Sequence, residues 1–360
     1  MYKIQKPLAR ASRLLFSLTL GMSLLTMGAS AQTETSTDSK TKVQYHTTKV
    51  QGLDIFYREA GSPEKPTLLL LHGFPTSSHM FRELIPKLAD DYHLIAPDYP
   101  GFGNSSMPLV SEFDYSFANM AKVMETFTEQ LGLDHYSLYL MDYGAPIGFR
   151  LATAHPERVD SLIIQNGNAY TEGLDNNFWE PIKHYWQDRD AVNKGLDNAW
   201  WKNVKNAYKQ PEMKNLDALG FLVTMGATQW QYKNGARSPE AISPDNWNMT
   251  QLLLDRPGNK EIQMELFYSY GTNVPLYPTW QEYFRKHQPP TLIVWGARDE
   301  IFPAEGAHPY KRDLKDLEMH LLDTGHFALE EDLIEITRFI KRFMQVKVKK
   351  TKRHANRSAR

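Results

Sequence analysis

The stretch that decides the fold is residues 136–145, whose sequence is YSLYLMDYGA. Its first six residues form a short apolar run rich in β-forming side chains, which predicts a buried strand. Asp142 follows this run directly, and a tyrosine, a glycine and a helical pattern come next. Strand, sharp turn and helix in this order are typical of a turn that presents a nucleophile. We therefore expect Asp142 to stand at the end of a central strand as a nucleophile.

The identity of the residue at position 142 selects the chemistry. A serine or a cysteine attacks a carbonyl carbon, whereas a carboxylate that attacks an ester forms only a high-energy anhydride. A carboxylate suits displacement at a saturated carbon because, with a reference pKa of about 3.9, it is anionic at neutral pH without a base. The expected substrate is therefore an epoxide or an alkyl halide. A second interpretation stays open at this point, since aspartate also commonly caps helices.

Three further segments fit a catalytic interpretation. Residues 67–71 (TLLLL) predict a buried strand and run into the turn HGFP at residues 72–75. An apolar strand within residues 291–299 ends at Asp299, and a last strand precedes His326 in a glycine turn. Taken singly, Asp299 and His326 are also ordinary loop residues. Together with the nucleophile they follow in a fixed order at the carboxyl ends of strands, where α/β sheets place their sites.

These segments resemble the α/β-hydrolase fold superfamily, and within it the epoxide hydrolase and haloalkane dehalogenase group with an aspartate nucleophile. The similarity covers roughly residues 45–346. The motifs that carry it are HGFP at 72–75, APDYPGFGNS at 96–105, the turn at Asp142, WGARD at 295–299 and GHF at 325–327. The resemblance implies an α/β fold with a mostly parallel central sheet, flanking helices and an inserted helical cap.

The resemblance also implies roles for individual residues. It makes Asp142 the nucleophile, His326 the base and Asp299 the acid that orients His326. It makes Asp98 structural. Leu140 departs from the family pattern, which usually has a small residue there, and this predicts different packing at the turn.

The order of segments predicts one large enzyme domain with a leader, an insertion and a tail. Basic residues, an apolar run and Ala29-Ser30-Ala31 indicate a cleaved secretory signal peptide, so the protein is expected in the periplasm or outside the cell. An uncleaved membrane anchor is the alternative, although the apolar run is short for one. The chain has no cysteine, which excludes disulfides. The predicted segments are the signal peptide (1–31), a flexible lead (32–44), an N-terminal core segment (45–169), a helical cap (170–288), a C-terminal core segment (289–346) and a basic disordered tail (347–360).

Charge and motif content limit the partners and cofactors that are expected for this chain. Acidic and basic residues nearly balance, with a net charge of −1. The excess of basic residues lies in the tail, and the protein is expected to be exported, so nucleic acid is not an expected partner. Residues 347–360 are basic with no acid, which predicts a solvated tail or a weak contact with an anionic surface. No glycine-rich phosphate loop and no metal-spaced histidine pair occurs in the sequence, so no cofactor and no metal are expected.

The predicted cap is rich in aromatic residues, which predicts an apolar pocket above Asp142. Every tryptophan except Trp295 falls in it. Dehalogenases of the group usually bind halide with a tryptophan after the nucleophile, often joined by an asparagine in the HGNP loop, where this chain has Tyr143 and Phe74. Epoxide hydrolases of the family use cap tyrosines to protonate the alkoxide. The candidate proton donors are Tyr185 and Tyr277, with Tyr170, Tyr232, Tyr268 and Tyr270 as rivals.

The second chemical step requires a water molecule and a site for an oxyanion. His326 is expected to take a proton from water that attacks the ester on Asp142. The backbone N–H groups of Phe74 and Tyr143 are expected to bind the oxyanion. Three functions stay open: hydrolysis of a hydrophobic epoxide, dehalogenation with unusual halide ligands, and ligand binding without catalysis.

Overall fold

The computed structural model describes residues 42–191, 198–207 and 218–348. The predicted signal peptide, residues 32–41 of the predicted lead and residues 349–360 of the predicted tail lie outside these residues. Within them, eight strands form one sheet. The strands are β1 (Gln44–Val50), β2 (Leu53–Ala60), β3 (Thr67–Leu71), β4 (His93–Pro97), β5 (Tyr136–Met141), β6 (Val159–Gln165), β7 (Thr291–Gly296) and β8 (Leu317–Leu322).

The sheet is mostly parallel, and its spatial order is β1-β2-β4-β3-β5-β6-β7-β8. β2 pairs antiparallel with both β1 and β4, and all later pairings are parallel. The register aligns the carboxyl ends of the central strands, because Leu140 lies beside both Leu71 and Ile164, and Ile164 lies beside Ile293. Loops that leave β3, β5, β6 and β7 therefore begin at one edge of the sheet.

The central strands are apolar throughout because both faces of the sheet are covered. Leu138 and Leu140 of β5 pack into one buried cluster, whereas Tyr139 and Met141 pack into a second cluster on the other face. This alternation has the period of two that a strand imposes on its side chains. The predicted buried strand at residues 67–71 is confirmed, since β3 is buried at every residue.

Helices cover both faces of the sheet, and further helices lie in the segment between β6 and β7. They are α1 (Leu84–Leu88), α2 (Phe117–Gln130), α3 (Gly144–Ala154), α4 (Glu180–Gln187), α5 (Ala199–Ala207), α6 (Ala218–Leu222), α7 (Met225–Lys233), α8 (Pro244–Leu254), α9 (Asn259–Tyr270), α10 (Tyr277–His287), α11 (Tyr310–Asp313) and α12 (Leu329–Phe343). No helix among the described residues is both long and apolar enough to cross a membrane. A π-helical turn, Met344–Val348, follows α12, and in it Lys347 contacts Asp316.

The described residues between β6 and β7 form helices joined by turns and loops, and no strand occurs among them. Helices α4 to α10 lie within the segment 170–288 that the sequence predicts to be a helical cap. Aromatic packing holds this segment together: Phe178 is stacked between Trp201 and Trp230. Most of these aromatic rings therefore have a structural role.

An ion pair and a hydrogen bond fasten this helical segment to the first turn of α12. Asp332 pairs with Arg237 in the loop after α7, and Glu330 accepts from Nδ2 of Asn246 on α8 at 2.6 Å. Tyr232 of α7 stacks on Phe327 with ring centroids 4.0 Å apart. The end of α7 is thereby fixed against the loop that carries His326.

Candidate active site

The turn after β5 forces Asp142 into an unusual backbone conformation. Its φ angle is 51°, in the left-handed region that non-glycine residues rarely adopt. The carboxyl group of Asp142 points toward the loop after β3, where a Cβ atom on Gly73 would lie 2.3 Å from the Cβ of Asp142. Only a glycine permits this close approach. Helix α3 begins next, and Asp142 lies one residue before its N-cap position, Tyr143, which makes no side-chain cap hydrogen bond.

Leu140, the departure from the family pattern, is accommodated by a glycine on the following helix. A Cβ atom on Gly148 would lie 2.1 Å from the Cδ2 atom of Leu140. The leucine is fully buried. The turn therefore packs differently because the large side chain of Leu140 on β5 occupies the space that a side chain on Gly148 of α3 would fill.

The two oxygens of the Asp142 carboxylate have different environments. Oδ1 accepts hydrogen bonds from the backbone N–H of Phe74 at 2.7 Å and from that of Tyr143 at 2.5 Å. Oδ2 lies 3.8 Å from Nε2 of His326 and accepts no hydrogen bond from the described residues. Asp142 and His326 are almost completely buried. One oxygen is thus held by two donors, while the other is left to react.

A hydrogen-bond network orients His326. Its Nδ1 lies 2.8 Å from Oδ2 of Asp299, which also accepts from Nδ2 of Asn166 at 2.7 Å. The other Asp299 oxygen accepts from the backbone N–H of Ile301 at 2.7 Å. Nε2 of His326 has no hydrogen-bond partner among the described residues. Because Asp299 accepts from Nδ1–H, Nε2 of the neutral imidazole is left as a proton acceptor.

Burial and charge shift the ionisation of the pair. Burial raises the pKa of Asp142 to about 6, although His326 and the two backbone hydrogen bonds oppose this change. Burial lowers the pKa of His326, but the charge of Asp299 and the hydrogen bond to it outweigh burial, so the pKa lies above the usual 6.5. Asp142 is therefore anionic above pH 6, without a dedicated base.

A narrow cavity opens on Asp142, with room for the centre of a water molecule over only about 20 Å³. Its wall is mainly aromatic and aliphatic, as the aromatic content of the cap predicts. The lining residues are Phe74, Asp142, Tyr143, Phe178, Trp179, Ile182, Leu222, Gln231, Phe267, Tyr270 and Ile301.

Few hydrogen-bond donors face this cavity. Trp179 is the tryptophan in the wall, and its indole N–H donates to the backbone oxygen of Ile301 at 2.7 Å. The buried hydroxyl of Tyr143 has no partner among the described residues. Tyr270 also lines the cavity, with its ring 5.9 Å from that of Tyr143. Among the described residues, the donors in the wall with no protein acceptor at ordinary hydrogen-bond geometry are thus phenols and the amide of Gln231, since the indole is occupied.

The candidate proton donors lie behind the cavity wall. Neither Tyr185 nor Tyr277 is among its lining residues, and the Tyr185 hydroxyl donates to the backbone oxygen of Met264 at 3.4 Å. Tyr277 is buried next to Tyr270, and interaction between the two hydroxyls contributes to a raised pKa of Tyr270, after burial. The Tyr277 hydroxyl nevertheless makes no hydrogen bond of ordinary geometry within the described residues. Of the tyrosines considered from the sequence, Tyr270 reaches the cavity.

Two polar residues near the site were missed by sequence reasoning. Asn166 follows β6 and ties Asp299 to Gly296, whose N–H it accepts at 2.9 Å. The polar residues directly after the buried strand β6 were a signal that could have identified Asn166, because such strand ends carry sites. Gln231 on α7 lines the cavity and had no sequence signal of its own. Among the described residues no cluster of histidine and acidic side chains is arranged to bind a metal ion.

Comparison with known proteins places the chain in a family. It matches the model of the alpha/beta hydrolase fold over residues 66–333 and belongs to that family. An uncharacterized hydrolase of Saccharomyces cerevisiae is 38% identical over 294 residues, which cover 81% of this chain and 94% of the yeast protein. A haloalkane dehalogenase of Bradyrhizobium diazoefficiens is 36% identical over 121 residues, which cover 34% of this chain and 38% of that enzyme. The chain is therefore an enzyme of the hydrolase class.

Solved structures show the same fold at low sequence identity. The haloalkane dehalogenase DbeA of Bradyrhizobium elkani aligns with a TM-score of 0.65 and 20% identity, covering 86% of this chain and all of that chain (100%). The epoxide hydrolase CorEH aligns with a TM-score of 0.63 and 20% identity, covering 84% of this chain and 99% of that chain. Both confirm the predicted α/β-hydrolase fold, and the fold is common to the two chemistries.

Proposed function

We propose that this hydrolase opens a small hydrophobic epoxide to a diol through a covalent ester on Asp142. The observation that carries the proposal is the kind of donor in the cavity. Tyr143 and Tyr270 line the cavity with Asp142, and the charge of Asp142 adds to burial in raising the pKa of both phenols, while the indole N–H of Trp179 is bonded to the protein. Epoxide opening generates an alkoxide, which needs a proton, and a phenol can donate one.

In the first step, Oδ2 of Asp142 attacks an epoxide carbon and the carbon–oxygen bond of the ring breaks. The departing oxygen takes a proton from a tyrosine, for which Tyr270 and then Tyr143 are the best placed. The tyrosinate regains its proton from solvent in a later step. In this scheme Tyr277 interacts with the hydroxyl of Tyr270 without lining the cavity. Tyr185 has a packing role among the neighbouring helices.

In the second step, His326 takes a proton from water as the water oxygen attacks the carboxyl carbon of the ester. The negative charge that develops on Oδ1 of Asp142 is stabilised by the N–H groups of Phe74 and Tyr143, which already donate to this atom. Collapse of the intermediate releases the diol, whose leaving oxygen takes the proton from His326. Asp299 holds the imidazole in the required tautomer throughout.

Haloalkane dehalogenation is the second candidate, and the sequence match to haloalkane dehalogenases over about a third of the chain favours it. A halide leaving group needs donors that stabilise an anion without transferring a proton. Such donors would have to be the hydroxyls of Tyr143 and Tyr270. A ligand-binding protein without catalysis is the third candidate, and the intact Asp142, His326 and Asp299 network argues against it.

A trapping experiment tests the nucleophile and separates the three candidates. His326→Gln should accumulate an alkyl-enzyme, because His326 serves only ester hydrolysis in this scheme. Intact-protein and peptide mass spectrometry after incubation with aryl epoxides and bromoalkanes should show the added mass on the peptide that contains Asp142. Asp142→Asn in the same background is the matched control and should carry none. Adducts from bromoalkanes alone would favour dehalogenation, and saturable binding without adducts would favour a carrier.

A second experiment tests the proton donor. Tyr270→Phe keeps the ring but removes the hydroxyl, so ester formation from epoxides should slow by roughly 10²–10⁴-fold, as expected for loss of general acid catalysis. Ester formation from bromoalkanes should fall much less, because bromide leaves without a proton. Tyr185→Phe and Tyr277→Phe are the comparison variants. Equal losses on both substrate classes would contradict an acid role for Tyr270.

A further inference from the structure

Gln231 carries a buried amide that the mechanism above does not use. Its side chain lines the same cavity as Asp142 and is only 3% exposed. Its Nε2 atom has no hydrogen-bond partner among the described residues. A buried donor without a partner destabilises the folded protein, so an unpaired amide in a cavity wall requires an explanation.

The neighbours of Gln231 fix its helix in place. Trp230 stacks against Phe178 on one side, and Tyr232 stacks on Phe327 on the other. The Tyr232 hydroxyl also lies 3.0 Å from Oγ1 of Thr250. With both flanking residues held, α7 cannot rotate to bring the amide of Gln231 into solvent.

Another buried polar residue on the same helix shows what a structural role looks like. Thr228 donates to Oε1 of Gln251 at 2.8 Å and is therefore paired within the protein. Gln231 faces the cavity from the next turn, with its donor unpaired among the residues described. The contrast indicates that the partner of Gln231 is a molecule that enters the cavity.

Gln231 and the proposed proton donors lie on different walls of the cavity. Tyr143 and Tyr270 belong to a wall that they form with Phe74 and Phe267. Gln231 lies on the wall formed by α7, next to the loop that carries His326. Because the cavity is small, a substrate that contacts Asp142 also comes within reach of Gln231.

We propose that Gln231 donates a hydrogen bond to an acceptor oxygen of the substrate other than the epoxide oxygen. The enzyme then prefers small epoxides that carry an ether or carbonyl oxygen over hydrocarbon epoxides of the same shape. A hydrocarbon chain leaves the amide unpaired, whereas an ether oxygen accepts from it. This inference rests on the proposed function and specifies its substrate class.

A matched substrate pair tests the inference. Methyl glycidyl ether and 1,2-epoxypentane have the same chain length and differ only in an oxygen that replaces a methylene group. The ratio of kcat/KM for the ether to that for the alkane should fall by about tenfold in Gln231→Met, the loss expected for one hydrogen bond. A second pair, with the ether oxygen one carbon further from the ring, locates the acceptor. Thr228→Val is the control variant and should leave the ratio unchanged.

A stability measurement provides an independent readout. Gln231→Met should leave the melting temperature of the ligand-free protein unchanged or raise it, because it removes an unpaired buried donor without creating a cavity. A marked fall in melting temperature would show that Gln231 has a structural partner and would overturn the inference. An unchanged substrate ratio, or equal losses on both substrates, would overturn it as well. Failure of the wild-type protein to turn over or bind covalently any epoxide would instead overturn the proposed function together with the inference.

Discussion

The buried, charged carboxylate of Asp142 should lower the free energy of unfolding, and Asp142→Asn tests this prediction. The pKa of Asp142 is raised from 3.8 to about 6 because burial disfavours its charged form. The folded state therefore binds a proton more tightly than the unfolded chain does, and the fold loses stability as the pH rises toward and through 6. Since one pKa unit corresponds to about 1.4 kcal/mol, the ionised carboxylate destabilises the fold by about 3 kcal/mol at pH 8.

Asparagine keeps an oxygen that can accept from the N–H groups of Phe74 and Tyr143 but carries no charge. We expect Asp142→Asn to raise the free energy of unfolding by about 3 kcal/mol at pH 8 and by about half of that at pH 5. Chemical denaturation at the two pH values measures the difference, with intact mass checking that the amide survives. Turnover should be lost at both.

Asp98→Asn is the matched control, because Asp98 is a buried carboxylate outside the cavity. Its two oxygens accept from the backbone N–H groups of Ser78 at 2.7 Å and Asn104 at 2.8 Å. An amide replaces one acceptor with a donor there, so this variant should be destabilised at both pH values. If Asp142→Asn is also destabilised at pH 8, or if its gain is the same at both pH values, the assignment of a raised pKa to Asp142 is refuted.

Three further predictions concern pH, packing and processing. Formation of the ester should slow as the pH falls through about 6, because Asp142 must be ionised. Hydrolysis of the ester should decline already at a higher pH, because His326 must be neutral and its pKa is raised, and stopped-flow measurements separate the two steps. Gly148→Ala should cost roughly 1–3 kcal/mol of unfolding free energy through its clash with Leu140, and this cost should largely vanish in a Leu140→Ala background. We propose that the protein is exported and begins at Gln32 after cleavage, and N-terminal sequencing of protein from the native host that finds the leader intact in the cytoplasm would contradict this.

The sequence was sufficient for the fold and for the order of the reactive residues. β3 and β5 are recognisable as continuous apolar runs because a parallel sheet is covered on both faces. Asp142 and Asp299 were proposed from the chain because each follows such a run, and His326 because it follows the last strand, since strand ends of a parallel sheet meet at one edge. Local patterns of this kind need no knowledge of long-range contacts.

The tertiary structure alone decided which groups line the cavity. The sequence placed Tyr185 and Tyr277 ahead of Tyr270, whereas Tyr270 is the one that lines the cavity. Helical aromatic residues look alike in sequence whether they face a cavity or a core. The left-handed conformation of Asp142 and the fit of Leu140 against Gly148 depend on contacts between elements that are separate in the chain.

The same distinction explains why Asn166 and Gln231 emerged only from the fold. Asn166 acts through Asp299, 133 residues further along the chain, and Gln231 matters because its amide is buried without a partner in the described structure. Burial and pairing are properties of the packed chain and leave no periodic signal in sequence. The chain order therefore determined the reaction class expected of this protein, and three-dimensional packing decided which side chains form the cavity around Asp142.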